Sequence, residues 1–528
     1  MNVKNCGPFF GHGALAATSI AALLLVGCGG SDDDPVAAIP PITAQVACTN
    51  LSGKTVGGAA LSAVAVAASG AVPTYCKVNG TILPSLRFEM RLPDTWNGKL
   101  HYGGGGVYNG SIPGLTGTTL AALKQGYSTV SSDSGHQANG LDASWALNDP
   151  VAAQLFGNLS IPTVMSTALE AVTAAYGKPP EKSYFEGCSN GGREGLMNVQ
   201  RYPNLFDGVV VRAPAYNWVG FNGHFNKTAK ALGAPGGNIS NAKTATLAAA
   251  VRNSCDGLDG IVDGVVSNRA ACTAAFNPAT LRCAGGADTG DTCLSDAQLA
   301  VVTTWTTDSV YSGSPTYRNA GWSLTGNEND PGAWPIWVTG NGNFLTSIQY
   351  LFSDTTVKNY LARDPTANSL TYAPWDQNPS AIYSMAALND ATNPEIRPFF
   401  SSGGKLIIWH GANDMALNPN QSIEYYNNVR NTVGTATADA SMRFYIAPGV
   451  NHCAGGPGAD SAELLTALDQ WVRAGTAPGT LVAEKRDSAG AVQFSRPLCQ
   501  HPQYPRYTGP AGDANAAKLA ASYTCTTP

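Results

Sequence analysis

The chain has 528 residues, 44% of them hydrophobic and 13% charged, with 59 glycines, 33 prolines and a formal net charge of −5. That apolar content excludes a disordered chain, and 31 Lys and Arg in a mildly acidic sequence lack the basic footprint of a nucleic-acid binder. A chain this long buries a large core and has room for several domains.

Residues 1–27 read as an export signal, with Lys4 ahead of an apolar run at 14–26 that is too short to span a bilayer. The run closes on Leu25-Val26-Gly27-Cys28, which resembles the lipobox of bacterial lipoproteins. Cys28 is therefore expected to carry lipid and hold the mature protein at the outer membrane, with a periplasmic or secreted protein as the alternative. Residues 28–47 form a tether rich in Gly, Ser, Asp and Pro. The uncharged stretch 56–73 is mostly Ala, Gly, Ser and Val, too weakly apolar to insert, so the lipid is the one membrane contact expected.

From residue 86 onward strands and helices alternate. Strands are predicted near 99–102 (running into Gly103-Gly104-Gly105-Gly106), 127–131, 183–186 and 208–211. Helices are predicted over 161–176, ending at Gly177, and over 191–201. The alternation resumes with strands at 405–409 and 443–446 and helices at 422–433 and 462–474. This pattern predicts an α/β domain around a mostly parallel sheet, in two parts, 48–217 and 396–528. Between them, residues 218–395 lose the regular pattern and hold six of the ten tryptophans, Trp218, Trp305, Trp322, Trp334, Trp337 and Trp375. They read as a separate inserted lid domain.

Gly187-Cys188-Ser189-Asn190-Gly191 is a G-x-S-x-G between a predicted strand and a predicted helix, the setting of a nucleophile elbow. A serine hydroxyl needs a base, and the elbow fold orders its residues as Ser, acid, His. That order leaves His410, His452 and His501. His410 reads equally well as a satisfied core residue, and His501 lies in a Pro-rich tail.

Cysteines favour His452. Setting aside Cys6 and Cys28, ten remain, an even number suited to five disulfides in an oxidising compartment. Eight lie near one another in sequence: Cys48 and Cys76, Cys255 and Cys272, Cys283 and Cys293, Cys499 and Cys525. Cys188 and Cys453 are left, far apart, and they flank Ser189 and His452. If Ser189 and His452 meet, these two cysteines come within bridging distance. Asp414, in the loop after the 405–409 strand, is the expected acid. The amides of Asn190 and Gly105 are the expected oxyanion donors.

Asp256, Asp259 and Asp263 alternate with glycines at a spacing that suits an oxygen-seeking cation such as calcium, with the carbonyls of Ile261 and Val265 completing the shell.

Gly187-Cys188-Ser189-Asn190-Gly191-Gly192-Arg193-Glu194-Gly195, Phe206-Asp207-Gly208 with Ala213-Pro214, the Asp-Gly loop, Asp414 and Asn451-His452-Cys453 together resemble the tannase/feruloyl esterase family, from about residue 48 to 525. That family includes bacterial mono(2-hydroxyethyl) terephthalate hydrolases. The resemblance implies an α/β-hydrolase core, a large lid holding a structural Ca2+, a disulfide beside Ser and His, and pairing within the four local cysteine pairs. It implies a serine carboxylesterase acting on small esters of aromatic acids, feruloyl esterase-like. The alternatives are a tannase or a terephthalate-monoester hydrolase and, from another class, a non-catalytic tethered binding protein. The terephthalate-monoester enzymes hold a free carboxylate with a lid arginine, and residues 337–355 contain none. A lid aromatic residue is expected over Ser189.

Overall fold

Ten strands share one sheet: β1 (Thr55–Val56), β2 (Ala59–Val66), β3 (Tyr75–Ile82), β4 (Leu86–Pro93), β5 (Lys99–Gly103), β6 (Ser128–Ser132), β7 (Lys182–Cys188), β8 (Gly208–Arg212), β9 (Lys405–Gly411) and β10 (Met442–Ala447). Their spatial order is β1-β2-β3-β4-β6-β5-β7-β8-β9-β10. The six strands from β6 to β10 run parallel, and β1 to β4 extend the sheet as an antiparallel edge. The stretch considered above for membrane insertion supplies β2, and no helix among the described residues is long and apolar enough to cross a membrane. This is a computed structural model that describes residues 42–311, 314–373 and 377–528. The expected export signal, most of the tether, Cys28 and Trp375 lie outside them.

The parallel strands are buried on both faces, as helical crossovers require. Helix α1 (Ser160–Tyr176) shows how the sequence achieves this. Ile161, Val164, Ala168, Ala171, Val172 and Ala175 recur at helical spacing, all buried, and join Phe88, Met90 and Val130 in the main core. Each fully buried Ile, Val, Phe or Met side chain there contributes roughly 1.5–3 kcal/mol. Gly177 ends the helix in the left-handed conformation, φ 77°. Helices α2 (Asn190–Arg201), α8 (Pro419–Val433) and α9 (Leu464–Ala474) match the predicted ones to within three residues.

The inserted segment differs from its reading. It is substantially helical, with α3 (Trp218–Gly233), α4 (Asn241–Cys255), α5 (Asp296–Thr306), α6 (Ile348–Thr356) and α7 (Pro379–Asn389). Side-chain caps fix their starts: Asn217, Ser240, Ser347 and Asn378 accept backbone amides, and Ser295 with Gln298 forms a capping box. The pattern was hidden because α3 is buried almost all round from Trp218 to Asn226, so no apolar stripe stands out. Nor does the segment pack by itself. Trp218, Phe221 and Phe352 share a core with Tyr108, Phe156, Met415 and Leu417 from outside the insertion, and residues 42–528 form one unit.

Five disulfides close the structure: Cys48–Cys76, Cys188–Cys453, Cys255–Cys272, Cys283–Cys293 and Cys499–Cys525. Such a set belongs to an exported protein in an oxidising compartment.

Candidate active site

Strand β7 turns directly into α2 at Ser189, whose backbone takes φ 62° and ψ −123°. A non-glycine residue held there costs about 1–3 kcal/mol, a strain that persists only where its surroundings enforce it. The flanking glycines are sterically required. A Cβ on Gly187 would lie 2.6 Å from the Gly191 carbonyl, and one on Gly191 would lie 2.7 Å from the Gly105 carbonyl oxygen. The Ser189 amide donates to the Arg212 carbonyl at 3.0 Å, tying the turn to β8. Beneath it, the Arg212 guanidinium grips Glu186 at 2.6 and 2.9 Å. Burial pushes the Glu186 carboxyl up, but the charges of Arg212 and His101 prevail and hold it at about 2.

Asp414 follows β9 in a buried loop. Its Oδ2 accepts from His452 Nδ1 at 2.8 Å and from His410 Nε2 at 3.1 Å, while Oδ1 accepts the amides of Ala416 and Leu417, each at 2.8 Å. Burial alone would raise this carboxyl. The charge of His452, with the hydrogen bonds from His410 and His452, outweighs burial and holds it well below the usual range. With Nδ1–H committed to Asp414, His452 keeps Nε2 as an acceptor. The Cys188–Cys453 bridge, Cα atoms 6.0 Å apart, joins the neighbours of Ser189 and His452. His410 is the satisfied residue its alternative reading allowed: Nδ1 pairs with Ser422 Oγ at 2.8 Å and the ring braces Asp414. His501 lies elsewhere, its amide on the Phe444 carbonyl.

The glycine turn after β5 requires a correction. The Gly105 amide, expected as an oxyanion donor, donates instead to Glu194 Oε2 at 2.9 Å, and Gly104 N–H goes to the Glu186 carbonyl. The donors that remain at this turn are the amides of Gly106 and Val107. Asn190 keeps its expected place at the first turn of α2, where amides have no partner within the helix.

Glu194 was not singled out by the sequence reading, yet it organises this corner. Besides Gly105, it accepts from Asn109 Nδ2 at 2.7 Å, Asn190 Nδ2 at 3.2 Å and Ser134 Oγ at 3.4 Å. Arg193, fully buried, donates to the carbonyls of Phe156 and Gly157 and to Asn190 Oδ1, and lies over the Phe156 and Trp218 rings. Two adjacent charges in a helix opening Gly-Gly are the signal that was available: such charges enter a core only when paired.

Above Ser189 and Asn190 is a pocket walled by Val107, Trp218, Phe221, Phe225, Trp337 and Phe352, with Ala215, Ala416 and Leu417. Apart from Ser189 and Asn190 its lining is apolar, and among the described residues no charged side chain contributes to it. Trp337 also meets the His452 ring edge-on, centroids 5.2 Å apart.

The Asp-Gly loop is held by its own amides. Asp256 accepts from Asp263 and Gly264, Asp259 from Ile261 and Ser267, and Asp263 from Val265 and from Arg496 Nη2 at 2.8 Å. Burial pushes the Asp259 carboxyl up to about 6, with Asp263 adding to the effect. As a donor set, three carboxylates and two carbonyls suit calcium. As an arrangement, the side chains do not close on a point: among the described residues no three acidic, His or Cys side chains form a metal-binding group.

A profile described as tannase and feruloyl esterase matches residues 69–526. The chain is a member of the tannase and feruloyl esterase family. A mono(2-hydroxyethyl) terephthalate hydrolase of Piscinibacter sakaiensis is 32% identical over 534 residues, covering 88% of this chain and 87% of its own. A probable feruloyl esterase of Arthroderma benhamiae is 32% identical, covering 84% and 83%. In fold, feruloyl esterase B from Aspergillus oryzae superposes with a TM-score of 0.77 at 23% identity, over 91% of this chain and all of that one. The α/β-hydrolase architecture and a carboxylic ester hydrolase activity follow for this family member.

Proposed function

We propose that this esterase hydrolyses neutral esters of aromatic acids, of the feruloyl type, through an acyl-enzyme on Ser189. The observation that carries the reading is the Ser189 pocket, aromatic on several sides and, among the described residues, without a charged group. Flat rings are held there by edge and offset contacts, each contributing about 0.5–1.5 kcal/mol beyond burial.

Ser189 Oγ attacks the ester carbonyl carbon while His452 Nε2 takes its proton, and Asp414 stabilises the imidazolium through Nδ1–H. The carbonyl oxygen becomes an anion facing the Asn190 amide and an amide of the 106–107 turn. Collapse breaks the C–O bond, and the leaving alkoxide takes the proton from His452. Water, deprotonated by His452, attacks the acyl carbon in turn. The aromatic acid leaves and Ser189 is restored.

Catalytic efficiencies on methyl ferulate, a gallate ester and mono(2-hydroxyethyl) terephthalate test the specificity. Methyl ferulate is expected to lead. A clear preference for the charged monoester would overturn the reading in favour of the terephthalate-monoester alternative, which the Piscinibacter relative represents.

Two further assignments belong to this reading. A structural calcium ion in the Asp256, Asp259 and Asp263 loop, with the Ile261 and Val265 carbonyls, is supported by the donor chemistry, and it requires Asp263 to turn from Arg496. Exhaustive chelation is then expected to lower the thermal midpoint and added calcium to restore it. A lipid on Cys28 is supported by the Leu-Val-Gly-Cys pattern, and labelled fatty acid is expected to enter the protein but not Cys28→Ala.

A further inference from the structure

The residues that precede Asp414 and His452 are both asparagines, both buried, and they hold each other. Asn413 Nδ2 donates to Asn451 Oδ1, and the Asn413 amide donates to the Val450 carbonyl at 2.9 Å. The loops bearing the acid and the base are thus joined through side chain and backbone. What is left of the two side-chain amides is met from the inserted segment. Thr325 Oγ1 donates to Asn413 Oδ1, Asn413 Nδ2 also reaches the Asn327 carbonyl at 3.4 Å, and Asn451 Nδ2 donates to Asp330 Oδ1 at 2.6 Å. That partner turn is itself fixed. Asp330 Oδ1 accepts the Gly332 amide at 2.9 Å, and the buried Glu328 carboxyl accepts the amides of Thr325 and Gly326 at 2.5 and 3.3 Å. A Cβ on Gly332 would lie 2.7 Å from Asn451 Nδ2, so the approach is open only to glycine.

Each asparagine donates on one side and accepts on the other, which an amide does and a carboxylate does not. Buried polar networks of this kind hold one arrangement when every member is satisfied. The same stretch of the insertion reaches the triad twice more: Trp322 Nε1 donates to the Asp414 carbonyl at 2.9 Å, and Trp337 meets the His452 ring edge-on. Asp330 does not line the Ser189 pocket, so a change there reaches the reaction through Asn451. What it moves is the 2.8 Å hydrogen bond between His452 Nδ1 and Asp414 Oδ2. Misplacing reacting groups by about 1 Å costs on the order of 10²-fold in rate.

We infer that Asp330 and Asn451 are positioning residues of the reaction: the Asp330 carboxylate, acting through the Asn451 and Asn413 amides, sets the alignment of His452 on Asp414. The inference rests on the reading of Ser189, His452 and Asp414 as the catalytic triad.

The test breaks the contact and then restores it, with p-nitrophenyl acetate as substrate and kcat read on its pH-independent plateau. Asn451→Asp keeps an acceptor for Asn413 but sets two carboxylates against each other. A fall in kcat of about 10²-fold with KM within about threefold is expected, with the Cys188–Cys453 bridge intact by mass spectrometry. Adding Asp330→Asn puts a donor opposite an acceptor again and should recover at least about tenfold of that loss. Should Asn451→Asp not fold, Asp330→Ala decides alone: at this half-buried position kcat should fall about tenfold with an unchanged thermal midpoint. A loss that Asp330→Asn does not recover, equal changes in kcat and KM, or wild-type kcat in Asp330→Ala would each overturn the inference. Ser189→Ala in the same assay separates the two readings. Turnover that survives it ends the triad reading, whereas turnover that it abolishes and Asp330→Ala leaves untouched ends this inference alone.

Discussion

The wall of the active site built by the sheet and the wall built by the inserted segment constrain the substrate by different means. On the sheet side, atoms are placed by hydrogen bonds and backbone contacts: Asp414 on His452, the Gly105 amide on Glu194, Gly191 against Gly105. On the other side Trp218, Phe221, Phe225, Trp337 and Phe352 offer ring surfaces that tolerate small shifts. Directional contacts act on a transition state, where a misplaced donor is useless; ring contacts act equally on bound substrate. The first wall should therefore govern kcat and the second KM.

Ser189→Ala offers the hardest test of the first wall. Turnover is expected to fall by roughly 10⁴–10⁶-fold with an unchanged thermal midpoint, because triad members act as a unit. Measurable wild-type turnover by the folded variant would end the mechanism. Glu194→Gln is milder. It puts an amide donor where Asn109, Asn190 and the Gly105 N–H already donate, so the oxyanion corner should loosen. A fall in kcat of about 10²-fold with KM within threefold is expected. Equal changes in both parameters would show Glu194 to be a general support of the fold, and steady-state kinetics on methyl ferulate decides.

Trp337→Ala addresses the opposite wall. Loss of one ring face should raise KM about tenfold and leave kcat within a fewfold. A fall confined to kcat would mean that its edge contact with His452 matters more than its contact with substrate.

How much of this was legible in the sequence follows the same division. Ser189, its flanking glycines, Asp414 and His452 were readable because steric exclusion, chain order and a pair of leftover cysteines each leave few solutions. The fate of the Gly105 amide was not readable. It depends on a carboxylate 89 residues away, and a run of four glycines cannot say which amide faces outward. The helices of the insertion were missed for a different reason. Buried almost all round, α3 lacks the polar face from which periodicity is read, although the Asn and Ser caps of the insertion's helices were visible.

A last test, read in stability rather than in rate, lies where the insertion meets the core. Asp390 accepts the Val219 amide at 3.0 Å at the start of α3, and burial pushes its carboxyl up to about 7. The folded protein thus holds a proton that the unfolded chain has released above about pH 4. Stability should decline as pH rises from about 4 to 7 on account of this group, then level off. Asp390→Asn should flatten that slope in thermal denaturation followed across the interval. An unaltered slope would show the carboxylate to be ionised in the fold.

The Cys188–Cys453 bridge spans 265 residues, and in the chain-entropy picture a loop of that length is worth on the order of 5 kcal/mol. It also sets a schedule. A polypeptide emerging from its N-terminus presents Ser189 long before His452 exists, and the two are locked together only after both segments reach an oxidant. While the thiols are reduced, serine and histidine lack this fastening, so crossing from a reducing compartment to an oxidising one doubles as the maturation step.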